Sequence, residues 1–268
     1  MAVTTKSPSD VAIPFVSADE LVGELASDGR RGALAFDGDG TLWSGDVGED
    51  FFFGMLDSGR VTEVATAEIK RIAALEHIDA EGKAAEVARR IYAAYLGGTF
   101  EEERVCEMMT WICAGWSHED VTSFATGIVG TAFEARIHPE ARAVIAGARE
   151  QGHEIFVVSA SPRPIVEAAA AVAGVDPAHV LAAIAVLEGG RFATAVHRPI
   201  PYGPGKASAL RATLKGLPLL ASFGDNAFDV EMLLMADKPI AVRPKPRLRE
   251  RAVSIRGIRQ LTVPKHGQ

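Results

Sequence analysis

Hydrophobic positions follow two different spacings along the chain, and the change between them divides the sequence. Short apolar runs at 33–36, 155–158 and 219–223 are bounded by charged or turn-forming residues and predict buried strands. Between 45 and 133 the spacing becomes that of amphipathic helices, and no strand-like run interrupts it. From Ile137 onward, strand and helix patterns alternate again.

This alternation predicts the architecture. Strands that alternate with helices are typical of a doubly wound, mostly parallel sheet. We therefore predict an α/β fold in which residues 1–43 and 136–268 form the catalytic core and residues 44–135 form a helical domain inserted after the first core strand. Ser17 is expected to cap a helix before that strand, and the glycines of the segment 188–191 predict a β-hairpin.

Composition and charge narrow the class of protein. The 268 residues are 48% hydrophobic and 24% charged, which suits a globular protein with a substantial core. The net charge of −7 argues against nucleic acid or an anionic membrane as a partner. The first residues do not resemble a secretion leader, and no apolar run approaches the roughly 20 residues that span a bilayer. We expect a cytoplasmic protein, and the sequence leaves its oligomeric state open.

Polar side chains collect where the predicted strands end. Because the carboxyl ends of adjacent parallel strands lie about 5 Å apart, these groups are expected to share one pocket. Two carboxylates 4 Å apart repel by about 4 kcal/mol near a protein surface, so the pocket needs positive charge. Mg²⁺, which prefers carboxylate oxygens, and Lys206 would supply it. The strand-end residues are Asp37, Asp39, Ser159, Ser161, Asp225, Asn226 and Asp229.

These motifs resemble those of a known family. DGDGT at 37–41, the strand-end Ser159, Lys206 in GPGK, and GDNAFD at 224–229 match in order and spacing the four motifs of the haloacid dehalogenase superfamily. The sequence is most similar to the phosphoserine phosphatase-like subgroup. The resemblance implies a haloacid dehalogenase-like Rossmannoid core, a helical cap inserted after the first motif, and Mg²⁺-dependent hydrolysis of a small phosphomonoester through an aspartyl-phosphate.

The resemblance also implies a role for each motif residue. Asp37 would be the nucleophile, Asp39 the acid and base, and Lys206 a catalytic cation. Family members that act as dehalogenases generally lack the second aspartate, so Asp39 favours phosphate chemistry. The implied metal site has Asp37, Asp225 and the backbone carbonyl of Asp39 as ligands, with Asp229 holding a metal-bound water. The implied phosphate-binding residues are Gly38, Ser159, Ala160 and Lys206.

Candidate specificity residues depart in part from the family pattern. Asp46 matches the acid that contacts a substrate ammonium in phosphoserine phosphatases, but it is equally a helix N-cap. Phe100 matches a cap phenylalanine, whereas the place of the carboxylate-binding arginine holds Glu107, with Arg104 one turn earlier. Arg163 is a further candidate for binding a carboxylate. Glu107 would repel a carboxylate, so the resemblance does not identify phosphoserine as the substrate.

An amino-bearing ester such as phosphoethanolamine or phosphocholine is an alternative substrate. Trp43, Trp111 and Trp116 either contact such a cation or belong to the core. Two other functions stay open: a phosphotransferase or mutase on the same framework, and a catalytically silent phosphate-binding regulator. Function depends on the site, and the fold alone cannot decide among them.

Overall fold

The computed structural model describes residues 13–264 and contains a seven-stranded, mostly parallel sheet. The strand order is β1-β9-β8-β7-β2-β3-β4, and β5 and β6 form a separate antiparallel hairpin. The predicted α/β fold is therefore confirmed. The strands are β1 (Phe15–Val16), β2 (Ala33–Asp37), β3 (Glu154–Pro162), β4 (Val180–Ala183), β5 (Ala185–Glu188), β6 (Arg191–Val196), β7 (Leu219–Gly224), β8 (Lys238–Ala241) and β9 (Arg259–Leu261).

Helices account for most of the remaining regular structure. Five of them, α2 to α6, occupy the stretch where the sequence predicts only helices. No helix within residues 13–264 combines the length and the apolar character needed to cross a bilayer. The helices are α1 (Ala18–Asp28), α2 (Val47–Asp57), α3 (Glu63–Leu75), α4 (Ala84–Leu96), α5 (Glu102–Trp111), α6 (His118–Val129), α7 (Pro139–Glu150), α8 (Arg163–Val172), α9 (Pro204–Leu214), α10 (Val230–Leu233) and α11 (Pro246–Arg251).

The chain divides into two compact units. The first contains the described residues of the segments Met1–Gly45, Ala135–Val158 and Gly203–Gln268. The second consists of Asp46–Glu134 and Ser159–Tyr202, so it contains α8 and β4 to β6 as well as the five helices of the predicted insertion. A cap confined to residues 44–135 stays a prediction.

Strand β2 is an interior strand of the sheet, and its residues belong to the first unit. All five of its residues are buried, and it pairs in parallel with β7 on one side and β3 on the other. Phe36 is in register with Phe223, and their rings stack with centroids 4.0 Å apart. Because both edges of β2 are hydrogen-bonded and its side chains are packed, the residue at its end, Asp37, has a well-defined position.

Local sequence signals explain where several helices begin. The Ser17 hydroxyl accepts a hydrogen bond from the N–H of Glu20, whose carboxylate accepts one from the N–H of Ser17, as in a capping box. The predicted cap at Ser17 is thus confirmed. In the second unit, the hydroxyls of Thr62 and Ser117 accept hydrogen bonds from the N–H groups of Ala65 and Asp120 and so cap α3 and α6.

His138, which precedes α7, should make the stability of the protein depend on pH. The side chain is buried, its Nδ1 lies 2.9 Å from the carbonyl oxygen of Thr41, and burial lowers the pKa of His138. Below the unfolded-state pKa of about 6.5, the unfolded histidine binds a proton that the folded one resists, so this contribution to stability falls as the pH falls.

We expect His138→Gln to show a smaller loss of unfolding free energy between pH 7 and pH 5 than the wild type. The difference should not exceed about 1.4 kcal/mol per pH unit. Denaturant titrations at the two pH values measure it, and His197→Gln, at an exposed position, is the control. Equal pH dependence of the wild type and His138→Gln would contradict the prediction.

Candidate active site

Three aspartates meet at the carboxyl end of the parallel sheet. Asp37 ends β2, and Asp225 directly follows the neighbouring strand β7. Asp229 lies in the turn that leads into α10. Their residues are only 6%, 3% and 0% exposed, respectively. One carboxylate oxygen from each lies within 4.8 Å of the others.

Lys206 joins two of these aspartates. Its Nζ lies 2.5 Å from Asp37 Oδ1 and 2.5 Å from Asp229 Oδ1, and its side chain is 6% exposed. Burial by itself would lower the pKa of Lys206, but Asp229 and Asp37 raise it, so the ammonium group stays charged. The lysine lies in the first turn of α9, where Pro204 suits the helix start. The structure therefore brings together the predicted nucleophile and the predicted catalytic cation.

Asp229 also fixes the loop after β7. Its Oδ2 accepts hydrogen bonds from the backbone N–H groups of Asp225 at 3.0 Å and Asn226 at 2.9 Å. A Cβ atom on Gly224 would lie 2.5 Å from the Cβ of Asp229, so only glycine permits this approach. Asp229 thus positions Asp225 as well as contributing its own charge.

Lys245 is a site residue that the motif analysis missed. Its Nζ lies 2.9 Å from Asp225 Oδ2, and its backbone N–H donates to the Asp225 carbonyl oxygen at 2.7 Å. The sequence did contain a signal, because Lys245 closely follows β8, which pairs in parallel with β7. The polar residues after this strand lie at the same edge of the sheet as those after β7.

The crowded carboxylates change their proton affinities. Burial, followed by the charge of Asp229, raises the pKa of Asp37 well above its usual value. Burial and Asp229 likewise raise the pKa of Asp225 to about 6. Lys206 lowers the pKa of both carboxyl groups, and Lys245 lowers that of Asp225, but they do not compensate fully. The group retains negative charge that a cation would offset.

The residues present fit Mg²⁺. Three carboxylates and two ammonium groups leave one uncompensated negative charge among Asp37, Asp225, Asp229, Lys206 and Lys245. Carboxylate oxygens are hard donors of the kind that Mg²⁺ prefers. Asp39 does not belong to the carboxylate group that could hold an ion among the described residues. Its predicted contribution, a backbone carbonyl, stays a prediction.

Asp39 is held by a buried tryptophan. Trp43 is 0% exposed, and its Nε1 donates to Asp39 Oδ1 at 2.8 Å. A Cβ on Gly38 would lie 2.7 Å from Trp43 Cζ2, which explains the glycine between the two aspartates. The structure thus supports the core interpretation of Trp43 and gives it a second role, orienting the carboxylate of Asp39.

Several predicted residues belong to the second unit. Ser159 is 1% exposed, and its hydroxyl accepts a hydrogen bond from the Ser161 N–H at 3.0 Å. The Asp46 carboxylate accepts from the Glu49 N–H at 2.8 Å and caps α2, while the Arg163 guanidinium donates to Glu167 at 2.6 Å. Phosphate binding by Ser159 and Ala160, and specificity roles for Asp46 and Arg163, stay predictions.

The other specificity candidates line one cavity of about 310 Å³ within the second unit. Phe100, Arg104 and Glu107 all contribute to its wall. Glu107 pairs with Arg198 at 2.5 Å, so the acid that replaces the family's arginine is itself compensated by an arginine. Trp111 lines the same cavity, and Trp116 is buried against Arg60, whose guanidinium carbon lies 4.0 Å from the ring centroid.

The fold and the acidic site define an α/β protein with its reactive groups at the carboxyl edge of a parallel sheet. The model of the haloacid dehalogenase-like hydrolase family matches residues 34–234. The chain belongs to the haloacid dehalogenase-like hydrolases.

Relatives support the same assignment. A probable phosphatase of Mycobacterium tuberculosis (strain H37Rv) is 31% identical over 159 residues, which is 58% of this chain and 54% of that protein. The chain thus spans about half the length of this curated relative.

Solved structures share the fold. A protein of unknown function from Bordetella pertussis Tohama I has a TM-score of 0.69 at 22% identity and covers 87% of this chain and 99% of its own. A phospho-aspartyl intermediate analogue of phosphoserine phosphatase has a TM-score of 0.53 at 18% identity, covering 88% and 95%.

The buried charges predict opposite stability effects for two substitutions. Lys206→Met leaves Asp37 and Asp229 without their shared cation, so the free energy of unfolding should fall by about 3–5 kcal/mol. Asp37→Asn removes a carboxylate whose charged form is disfavoured by burial and by Asp229, so the protein should become more stable. Thermal and denaturant unfolding in a buffer with chelator measures both. Destabilisation by Asp37→Asn as large as that by Lys206→Met would contradict this account.

Proposed function

We propose that the protein is a Mg²⁺-dependent phosphatase that hydrolyses small phosphomonoesters through an aspartyl-phosphate on Asp37. The observation that carries the proposal is the buried group of Asp37, Asp225 and Asp229 with the Lys206 ammonium between two of its members. Membership of the hydrolase family supports the proposal, as does the likeness to a protein named a probable phosphatase.

In the first step, a carboxylate oxygen of Asp37 attacks phosphorus, and the bond between phosphorus and the ester oxygen breaks. Protonated Asp39 donates its proton to the departing oxygen, so that a neutral alcohol leaves. The hydrogen bond from Trp43 to Asp39 Oδ1 keeps that carboxyl group oriented for proton transfer. Lys206, within hydrogen-bond distance of Asp37, would offset negative charge that develops on the phosphoryl oxygens.

In the second step, water attacks the phosphorus of the phosphorylated Asp37. Asp39, now ionised, accepts the proton of this water, the bond between phosphorus and the aspartyl oxygen breaks, and phosphate leaves. Both residues return to their starting states. Separate carboxyl groups are needed because the nucleophile is occupied by the phosphoryl group while the proton is transferred.

Positive charge is needed because an anionic nucleophile approaches an anionic ester. Asp37, Asp225 and Asp229 would hold Mg²⁺, with the Asp39 carbonyl as a further ligand, and the ion would reduce this repulsion. On the family resemblance, Ser159, Ala160 and Gly38 would bind the phosphate together with Lys206. Lys245 would keep Asp225 oriented through its side-chain and backbone bonds.

The substrate is a small ester, and amino-bearing esters are the first class to test. Asp46 supports this choice because its carboxylate would attract an ammonium group, although it also caps α2. Phosphate release from phosphoserine, phosphoethanolamine, phosphocholine and histidinol phosphate, with and without chelator, tests substrate and metal together. No release from any ester would favour a silent binding protein, and transfer to an acceptor alcohol without free phosphate would favour a phosphotransferase.

Replacing the nucleophile should abolish turnover. We expect Asp37→Asn to lower phosphate release by about 1,000-fold or more, because the amide cannot form the aspartyl-phosphate. Steady-state assays with Mg²⁺ and circular dichroism separate lost chemistry from lost folding. Asp57→Asn, at an exposed carboxylate, should retain activity; hydrolysis by Asp37→Asn at the wild-type rate would remove Asp37 from the mechanism.

Gly40→Ala should disturb the site without unfolding the protein. Gly40 has φ +84°, and an added Cβ would lie 2.2 Å from Asp225 Oδ2. Because displacement of a catalytic group by about 1 Å typically costs about 100-fold, we expect kcat/KM to fall by roughly that factor.

Gly152→Ala is the matched control for Gly40→Ala. Gly152 has φ +77° and nothing within 4 Å of its added Cβ. Both variants should lose about 1 kcal/mol of stability from the unfavourable φ. Only Gly40→Ala should lose activity, and an equal loss in both would mean that the contact with Asp225 does not matter.

A further inference from the structure

The cavity of about 310 Å³ in the second unit lies outside the motifs that carry phosphate chemistry. Its wall comes from α3, α5 and the end of β6, together with the residues that flank them. Cavities of about 300 Å³ are large enough for a small organic ligand. The chemistry of the lining side chains therefore shows what kind of ligand would be bound.

Arginine dominates the charged part of the wall. Arg71, Arg104 and Arg198 line the cavity, against two carboxylates, Glu68 and Glu107. The Arg71 guanidinium donates to both oxygens of Glu68, at 2.7 and 2.6 Å, so this pair is mutually compensated. The other two arginines each use a single terminal nitrogen in their ion pairs.

Those two arginines retain donors for a ligand. Arg104 donates from Nη1 to Glu76 at 2.6 Å, and Arg198 donates from Nη2 to Glu107 at 2.5 Å. Within residues 13–264, their remaining guanidinium N–H groups have no protein acceptor. The Arg198 side chain is 69% exposed, so a ligand can reach it, whereas Glu107, at 11%, is largely enclosed.

The rest of the wall is apolar and partly aromatic. Ile72, Phe100 and Trp111 are 9%, 5% and 4% exposed. The Arg104 guanidinium carbon lies 4.5 Å from the centroid of the Phe100 ring, a cation–π contact that limits the motion of the guanidinium. A guanidinium that is already restrained loses less conformational entropy when it binds a ligand. The cavity therefore combines an apolar surface with a preorganised anion-binding group.

We propose that this cavity binds a small organic anion, with its apolar or aromatic body against Ile72, Phe100 and Trp111 and its anionic group on Arg104 and Arg198. Each glutamate of the wall already has an arginine partner, so an anion finds unused donors, whereas a cation would have to compete with a guanidinium. The anion is either part of a substrate or a separate ligand, and the chemistry of recognition is the same for both.

Two probes that differ by one charged group test the proposal. 8-Anilinonaphthalene-1-sulfonate carries a sulfonate, and N-phenyl-1-naphthylamine has the same rings without it. Fluorescence titration of the full chain should show tighter binding of the sulfonate. The variant Glu107→Gln/Arg198→Gln keeps the net charge, replaces the ion pair by two amides, and should reduce the preference for the sulfonate by about fivefold or more.

Two further variants complete the test. Asp57→Asn/Arg89→Gln removes a surface ion pair of the same unit that does not line the cavity and leaves the net charge unchanged. It should bind both probes as the wild type does. If Glu107→Gln/Arg198→Gln does not fold, Arg104→Gln provides the test, because its partner Glu76 is 30% exposed and tolerates the loss.

Equal affinities for the two probes in the wild type, or an unchanged preference in the arginine variants, would overturn the proposal. Because binding is read without turnover, this result is independent of the proposed phosphatase activity. Inhibition of phosphate release distinguishes the two sources of the anion. A sulfonate that competes with substrate indicates a site for the substrate's own anionic group, and one that binds without competing indicates a separate ligand.

Discussion

The ion pairs between Lys206 and the carboxylates of Asp37 and Asp229 are the interaction on which the first unit's site depends. Each of these groups is nearly inaccessible to water, and an unpaired charge in such a place costs several kcal/mol. The two buried carboxylates therefore require the Lys206 ammonium between them. This requirement connects the end of β2, the start of α9 and the loop after β7, which are distant in sequence.

The constraint extends from charge to backbone. One carboxylate oxygen of Asp229 accepts a hydrogen bond from Lys206. The other oxygen accepts hydrogen bonds from two N–H groups of the loop after β7, and these bonds hold the carboxylate in position. That arrangement excludes a side chain at position 224, and the close approach of Asp225 excludes one at position 40. Gly40 and Gly224 are therefore required by the packing of carboxylates around one point, and the doubly paired strand β2 keeps that point fixed.

The sequence was sufficient to predict the parts of the structure that depend on local patterns. Buried parallel strands, the capped helix at Ser17 and the hairpin at 188–191 each have a signal within a few residues, and the polar groups that converge at the sheet edge follow from strand direction. Short outer strands lack such a signal: β1 and β9 have two and three residues and are defined by pairing with each other across almost the whole chain. The continuous apolar run 180–187 also gives no sign that the strand is interrupted at Ile184, where the structure separates β4 from β5.

Charge balance was the property least accessible from motifs, because it depends on partners far away in the sequence. Lys245 was missed because no motif contains it, although it bonds Asp225 through both side chain and backbone. Glu107, considered alone, indicates a preference for cations, yet Arg198 contributes a guanidinium at the same place from 91 residues away. The effect of Glu107 on ligand binding therefore depends on the total charge around it, which includes the Arg198 guanidinium. Since the pair Glu107–Arg198 retains a guanidinium beside Arg104, the loss of an arginine from the family pattern does not by itself remove anion binding from this chain.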